Sequence, residues 1–476
     1  MLTSRSSQSA SFRPGALAGV VVLLIGEAVT FWVLLHHLRI PHHSLLLVTI
    51  ATPLFGASVA LFARVRMPAR AALLFLIGTA TVFQLIAVSQ QPLTSDDDYR
   101  YIWDGRVQLA GIDPYSYTPQ DPQLSSLRDH LLFGTPGHCG HPIPDGCTAI
   151  NRPSVHTVYP PIAQALFVGV RLASFGGDGG RRPFQIVAAL GAIAVTFVLA
   201  RRAHRAGRAL WPVAIWAWCP VTISEFGNNA HIDWLAVLLA VLALQAVAAR
   251  RPAAAGALLG AAAATKLYPL LVLPSILRRR PKLLVGAGAA LVVVSYLPHV
   301  IAVGTKVIGF LPGYLHQEGY SNGSRLLLLG SVFPDSAAVV VGIGIALGAA
   351  TWAYLHSDPD RPEATAVVVA GTALLVATPN YGWYATLLLA LVVMSERWEW
   401  IPVALAPTFT YLYRGEWLHT GIPSSAIYGI AALATFALAA SRRAMRRHSD
   451  RPHQPYDFDD EMWRDQNRAS WSSFDR

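Results

Sequence analysis

The stretch from Thr94 to Pro114, TSDDDYRYIWDGRVQLAGIDP, packs five acids, two arginines and three large aromatics into 21 residues. A carboxylate within hydrogen-bond reach of a hydroxyl can take its proton as that hydroxyl attacks an electrophile, so an acid here suits general-base work. The aromatics beside it offer a flat, amphipathic wall for a sugar ring or for the first isoprene units of a lipid. Read as a helix with an N-cap near Ser95, the stretch puts its first acids where the helix dipole favours them. Helical spacing then gives Asp97, Arg100, Tyr101, Asp104 and Gln108 one face and sets Tyr99, Trp103 and Arg106 elsewhere. Gly111 closes the helix and Asp113-Pro114 turns the chain. The plainer alternative is a surface helix with acidic capping and i,i+4 ion pairs. Asp96, Asp97 and Asp98 are all candidate bases at this level, with Asp97 first.

Other residues suit the complementary chemistry. Lys266 follows the apolar run Ala261 to Ala264 and precedes Tyr268-Pro269. An ionisable residue within a membrane segment is costly, and a compact ammonium is a good point charge for a phosphate. Snorkelling to headgroups is the alternative. Arg100, Arg106 and His231 are further cations for a donor phosphate. Asn228, His231 and Asp233 lie in the turn GNNAHID at the start of an apolar run; Asp233 either orients the histidine, binds substrate or simply caps a helix. Tyr159-Pro160-Pro161 is a rigid extended stretch. Tyr381 and Trp383, in NYGWY, are interfacial belt residues or substrate contacts. With these, Tyr101, Trp103, Asp104, Tyr159, Asn228, Asp233, Tyr268, Tyr381 and Trp383 are the expected cavity residues. Cys139 and Cys147 fit a disulfide in an oxidising compartment; alternatively His138, Cys139, His141 and Cys147 form a metal site. Cys219 reads as a small core residue. There is no Walker A motif, no GxGxxG after a strand and no HExxH, so nucleotide hydrolysis, a Rossmann site and a zinc protease have no support.

The elements that must position these groups are membrane helices. The 476-residue chain is 53% hydrophobic and 13% charged, and its apolar runs are separated by short loops. An all-α polytopic membrane protein with about 14 (12–14) spans is expected. The spans fall at about 16–35, 45–62, 71–88, 184–200, 210–223, 232–248, 253–264, 267–277, 283–303, 337–355, 364–377, 383–394, 401–413 and 426–440. The formal charge of +10 resides in short arginine runs between spans, such as Arg201 to Arg208 and Arg278 to Arg280, which mark cytoplasmic loops rather than nucleic-acid binding. Both termini are then cytoplasmic and the membrane is the plasma membrane. Residues 162–175 contain Arg171; as a span they would invert the charge rule, so they read as an interfacial helix. The domain reading is a membrane-embedded catalytic body over 1–441, with a large extracytoplasmic loop at 89–161 and a second at 304–325, and a polar, disordered cytoplasmic tail at 442–476. The acidic stretch, 225–233, Lys266, 314–325 and 380–384 all meet the outer face and imply one outer cavity.

In their order and sidedness, the acidic motif in the first large loop, Tyr159-Pro160-Pro161, the HxD turn and TKLYPLL resemble the GT-C superfamily over about residues 45–277. The likeness is to the actinobacterial polyprenyl-phosphate-mannose-dependent mannosyltransferases of the phosphatidylinositol mannoside and lipomannan type. The resemblance implies a GT-C-like fold, an Asp base matched here by Asp97, an HxD matched by His231 and Asp233, and a lysine matched by Lys266. The late turn departs from the family: TPNYGWY stands where relatives carry a Ser-Pro-Trp-His-type motif, and it holds no histidine.

The mechanism so implied is an inverting transfer of a sugar, mannose by resemblance, from a polyprenyl-phosphate donor to a glycolipid or cell-envelope glycan acceptor among membrane lipids. Asp97 deprotonates the acceptor, and Lys266 with Arg100 or His231 steadies the leaving phosphate. No cofactor is required by this chemistry, although the adjacent acids leave room for a divalent cation. The rival is a multi-pass transporter or lipid flippase, with Glu27 as its midplane charge; an inactive scaffold is a third reading.

Overall fold

A computed structural model describes residues 14–37, 42–134, 139–174, 180–416 and 423–449. Its first three helices, α1 (Pro14–His37), α2 (His42–Phe62) and α3 (Ala69–Val88), are almost wholly apolar. At 1.5 Å per residue, helices of this length match a hydrocarbon core about 30 Å thick. Among the described residues six helical stretches are long and apolar enough to cross a membrane: Gly15–His36, Ala69–Val88, Arg182–Arg205, Pro281–Gln317, Asp335–His356 and Ser424–Met445. The chain is an all-α multi-pass membrane protein. Shorter apolar helices pack among the six, and the expected twelve to fourteen spans are not reached by length alone.

Between α3 and the next long helix lies a subdomain with its own core. It contains α4 (Asp97–Leu109), the short strands β1 (Phe133–Gly134), β2 (His141–Ile143) and β3 (Gly146–Thr148), and α5 (Pro161–Ala173). The antiparallel sheet has the order β1-β3-β2, with Pro142 opposite Cys147, and a Cys139–Cys147 disulfide bridges across it. Tyr101, Trp103, Phe167 and Phe184 centre the core; Tyr101 stacks on Phe167 at 4.7 Å. A Cβ on Gly105 would lie 2.9 Å from the Phe167 carbonyl oxygen, so α4 and α5 meet backbone to backbone there. Pro160 before α5 and Arg181 after it line the same cavity, and α5, at 13 residues, is among the apolar helices shorter than the six of span length.

α6 (Arg182–Arg205) runs from that cavity to the basic end. The passage expected as a span over 210–223 is broken: a 3-10 turn at Trp211–Val213, α7 (Ala214–Ala217), α8 (Pro220–Thr222) and a π-turn at Ile223–Asn228. Pro212 and Pro220 remove backbone donors. Side chains repair the ladder: Trp216 Nε1 donates to Ala192 O, and Thr222 Oγ1 donates to Trp216 O. Irregular backbone of this kind survives in a membrane protein where it is buried in protein, as here.

α9 (Asp233–Ala248) and α10 (Pro252–Ala263) follow as an antiparallel pair. The expected span 267–277 is likewise a 3-10 turn, Tyr268–Val272, and α11 (Leu273–Ile276), interrupted by Pro269 and Pro274. α12 (Pro281–Val303), α13 (Leu311–Gln317), α14 (Leu327–Gly330), α15 (Asp335–His356), α16 (Glu363–Ala377), α17 (Thr386–Ser395), α18 (Ile401–Glu416) and α19 (Ser424–Ser449) complete the bundle. α19 continues eight residues past the expected tail boundary at 441; the rest of that tail, from 450, lies outside the described residues.

The two ends differ in kind. At one, arginines meet acids from distant segments: Arg202–Glu363 at 2.6 Å, Arg208–Glu396 at 3.5 Å, Arg279–Asp360 at 3.0 Å and Arg442–Glu399 at 2.9 Å. At the other lies the cavity.

Candidate active site

Three adjacent acids begin α4, and their neighbours give each a different task. Asp96 is the N-cap residue, and the Ser95 hydroxyl accepts the Asp97 backbone N–H at 3.2 Å. Asp98 is fully buried and grips Arg181 through both oxygens, at 2.6 and 2.7 Å. Burial raises its carboxyl above the ordinary range, with the guanidinium opposing. A sealed, bidentate carboxylate cannot reach a hydroxyl in the cavity. Asp96 accepts from Asn151 Nδ2 at 2.7 Å and meets His141 at 3.3 Å. Asp97 accepts from the same Asn151 amide at 2.7 Å and from the Tyr159 hydroxyl at 3.2 Å. Asp96 and Asp97 line the cavity.

The turn before α9 backs this acid. Ala230 adopts φ +60°, which turns His231 inward. The imidazole is fully buried; its Nε2 lies 3.0 Å from Ser95 Oγ and 3.8 Å from Asp97 Oδ2, and its Nδ1 lies 2.8 Å from Glu225 Oε2. Asn228 and Asn229 take the backbone N–H groups of Leu93 and Thr94, at 2.9 and 3.3 Å, and so tether the approach to α4.

Lys266 ends α10 and projects into the cavity, where Asp233 Oδ2 lies 3.0 Å from its Nζ. The contact is ionic in character, for neither Asp233 oxygen has a well-angled hydrogen bond. The ammonium faces the rings of Tyr159 at 5.7 Å and Trp383 at 5.8 Å. Tyr159 therefore stands between carboxylate and cation, its hydroxyl on Asp97 and its ring toward Lys266. Tyr381 stacks on Trp383 at 4.4 Å and donates to Glu318 at 3.1 Å. Glu318 also holds Arg152 at 3.2 Å and Arg325 at 2.7 Å.

Asp96, Asp97, Tyr159, Lys266, Tyr381 and Trp383 line a cavity of about 2110 Å³, larger than the few hundred to about 1,000 Å³ of a site for one small ligand. One part is polar, around Asp97, Asn151 and Arg152. The other is apolar and runs along the bundle, lined by Leu270, Leu271 and Pro274 and by the i,i+4 pairs Ala346/Ala350 of α15 and Val369/Ala373 of α16.

Of the expected cavity residues, Tyr159, Tyr268, Tyr381 and Trp383 line it, with Asp96, Asp97, Arg100 and Lys266. Several expectations are corrected. Tyr101 and Trp103 are buried in the subdomain core, Tyr101 against Phe167 of α5 and Phe184 of α6, and Trp103 against Phe133 of β1. Asp104 is a buried hub that accepts from Arg100, Thr157 and Gln164. Arg106 is outside the cavity, bound to Asp129 and the Leu127 carbonyl. Asn228, His231 and Asp233 stand one layer behind the wall, and His231 faces Asp97 rather than Lys266. Asn151, Arg152, Glu225 and Glu318 were not foreseen: Asn151, Arg152 and Glu318 are singled out by long-range contacts, and Glu225 by the π-turn that folds it back on His231. The proposed Cys/His metal set is spent on the disulfide, and its His138 lies outside the described residues. No group of three or more metal-ligating side chains occurs among the described residues.

The model of glycosyltransferase family 87 matches residues 157–379, a little under half of the chain. The matched stretch holds Tyr159, His231, Asp233 and Lys266 and stops short of Tyr381; α4 and its acids precede it. The match and the apolar helices support a membrane glycosyltransferase. No curated protein and no solved structure matches the chain.

Proposed function

We propose that this membrane glycosyltransferase takes its sugar from a polyprenyl-phosphate donor and transfers it, with inversion, to a glycolipid or glycan on the extracytoplasmic side. The observation that carries the reading is the single cavity in which Asp97 and Lys266 flank Tyr159, with an apolar limb leading away along α15 and α16. A free nucleotide sugar has no use for that limb; an isoprenoid chain does. α12 packs on α10 while α15 packs on α16 and α11, and the seam between α12 and α15 is the proposed lateral route from the bilayer. The shorter and broken helices are proposed to cross as well, making fourteen passages with both termini on the basic, cytoplasmic side of the plasma membrane.

In the transfer step the acceptor oxygen bonds to the anomeric carbon as Asp97 takes its proton. The bond from that carbon to the phosphate oxygen breaks, and its electron pair leaves on the phosphate beside Lys266. Arg100, fixed on Asp104 at 2.9 Å, adds positive charge in the same cavity. Mannose as the sugar rests on the resemblance to the mannosyltransferases alone. Nothing supports transport: Glu27 is buried and lines no part of the cavity.

The test is transfer from radiolabelled polyprenyl-phosphate mannose to a membrane acceptor extract by the purified protein. Asp97→Asn should lose about 100- to 10,000-fold in rate, the range of a general base, while Asp96→Asn stays active. Full activity in Asp97→Asn sinks the base assignment. Absence of transfer from every polyprenyl-phosphate sugar tried sinks the donor class.

A further inference from the structure

Glu225 lies in the π-turn before α9, buried and behind the cavity wall. Its Oε2 meets His231 Nδ1 at 2.8 Å and Asn229 Nδ2 at 3.3 Å. Its Oε1 packs against the late turn, where a Cβ on Gly382 would come within 2.5 Å. The other ring nitrogen of His231 points to Ser95 Oγ and Asp97 Oδ2. One fully buried imidazole thus lies between two carboxylates, one sealed and one open to the cavity.

Of the surrounding charges, Arg152 also acts on Asp97 across the cavity but is held by Glu318 at 3.2 Å, and the others are matched elsewhere. Asp98, next on α4, is matched by Arg181, and Asp233, next on α9, is matched by Lys266. Asp96 turns to Asn151 and His141. From the late turn the ring is covered by Trp383, centroids 4.1 Å apart, which does not titrate. From α18, the Tyr411 hydroxyl donates to the Thr94 carbonyl at 2.7 Å.

We infer that Glu225 is a positioning residue that holds His231 as an imidazolium against Asp97, and that this cation keeps Asp97 ionised beside an anionic donor. The inference rests on Asp97 being the base. A phosphate entering the cavity disfavours a second negative charge nearby, and an Asp97 already protonated is no base. The imidazolium offsets that repulsion. It needs Glu225 because burial alone drives a histidine toward its neutral form. In the structure burial lowers the His231 pKa, and Glu225, then Asp97 and Asp233, outweigh it and raise it above the ordinary histidine value. The proton balance is simple: the acceptor's proton goes to Asp97, and His231 keeps its own throughout.

Two readouts test this. In the full chain in nanodiscs with labelled histidines, His231→Gln identifies the His231 signal. Its titration midpoint should lie above about 6.5. Glu225→Gln should lower that midpoint by about one pH unit or more, and Asp97→Asn by less. An unchanged midpoint in Glu225→Gln overturns the inference. If that variant does not fold, Asp97→Asn, at the cavity surface, decides in the same way. In the transfer assay, His231→Gln should move the acid limb of the rate profile up by about one pH unit and recover part of its rate at high pH; an equal loss at every pH overturns the inference. The titration needs no substrate. A shifted midpoint in a protein that transfers nothing therefore counts against the donor reading and not against the Glu225–His231 pair.

Discussion

Asp96, Asp97 and Asp98 are chemically identical and consecutive, and their surroundings separate them into an anchor for Asn151 and His141, a cavity carboxylate proposed as the base, and a buried partner for Arg181. The same logic governs Lys266. Lys266→Met strands Asp233, fully buried, without its cation; removing one member of a buried pair costs about 3–5 kcal/mol. Melting in detergent should show that loss. The double variant Lys266→Met/Asp233→Leu should recover the stability and not the transfer. At Asp129 the sign is that of a stabilised carboxylate. Partial burial raises its pKa, but Arg106 and the Leu132 N–H outweigh burial and hold it below the ordinary range. Its contribution is therefore present above about pH 4 and lost as pH falls through the lower folded value. Limited proteolysis of residues 122–134 should accelerate in acid, and Arg106→Ala should abolish most of that dependence.

Among the elements, α12 depends on very little. Its flanks are largely uncovered apart from a seam with α10, where a Cβ on Gly256 would sit 1.9 Å from Leu284 O and one on Gly260 would sit 2.5 Å from Gly288 O. Small residues four apart let membrane helices approach this closely. Gly260→Leu should push α12 away, cost about 1–3 kcal/mol and lower transfer, because α12 carries Tyr296 into the cavity wall. A thermal melt with a parallel transfer assay checks both. In the subdomain the Cys139–Cys147 bridge, eight residues apart, closes a short loop. Its removal in Cys139→Ser/Cys147→Ser should cost about 2–3 kcal/mol, read as faster proteolysis of the sheet, with α4 and the base unaffected.

At the scale of the whole molecule the chain has a basic end and a cavity end. Arg202, Arg208, Arg279 and Arg442 gather on acids at the first, while 151–160, 307–320 and 379–384 gather around the second. If the basic end is cytoplasmic, Ser154→Cys, exposed at the cavity end, should react with a membrane-impermeant maleimide applied to intact cells, and Arg443→Cys should not. Cys219 is buried and the other two cysteines are bridged, so the background is low. The opposite labelling pattern reverses the orientation.

The sequence by itself determined the long apolar helices and the start of α4 to within two residues, because hydrophobic run length and capping chemistry are local. It also brought Asp97, Tyr159, Lys266, Tyr381 and Trp383 to one face, since alternating spans carry sidedness along the chain. It did not separate the three acids, nor foresee that Tyr101 would be covered by α5 and α6 and Trp103 by β1. The breaks at 210–228 and 267–277 could only be suspected from their prolines and short lengths; whether a proline ends a membrane helix depends on which neighbour satisfies the freed backbone. Asn151 on Asp97 and Arg152 on Glu318 join residues 54 and 166 apart in sequence. Contacts at such separations follow from how helices pack, and no local pattern encodes them. Asp97 is thus a carboxylate whose presence the sequence supplies, and whose setting, with Asn151, Tyr159 and His231 around it, is decided by the tertiary fold.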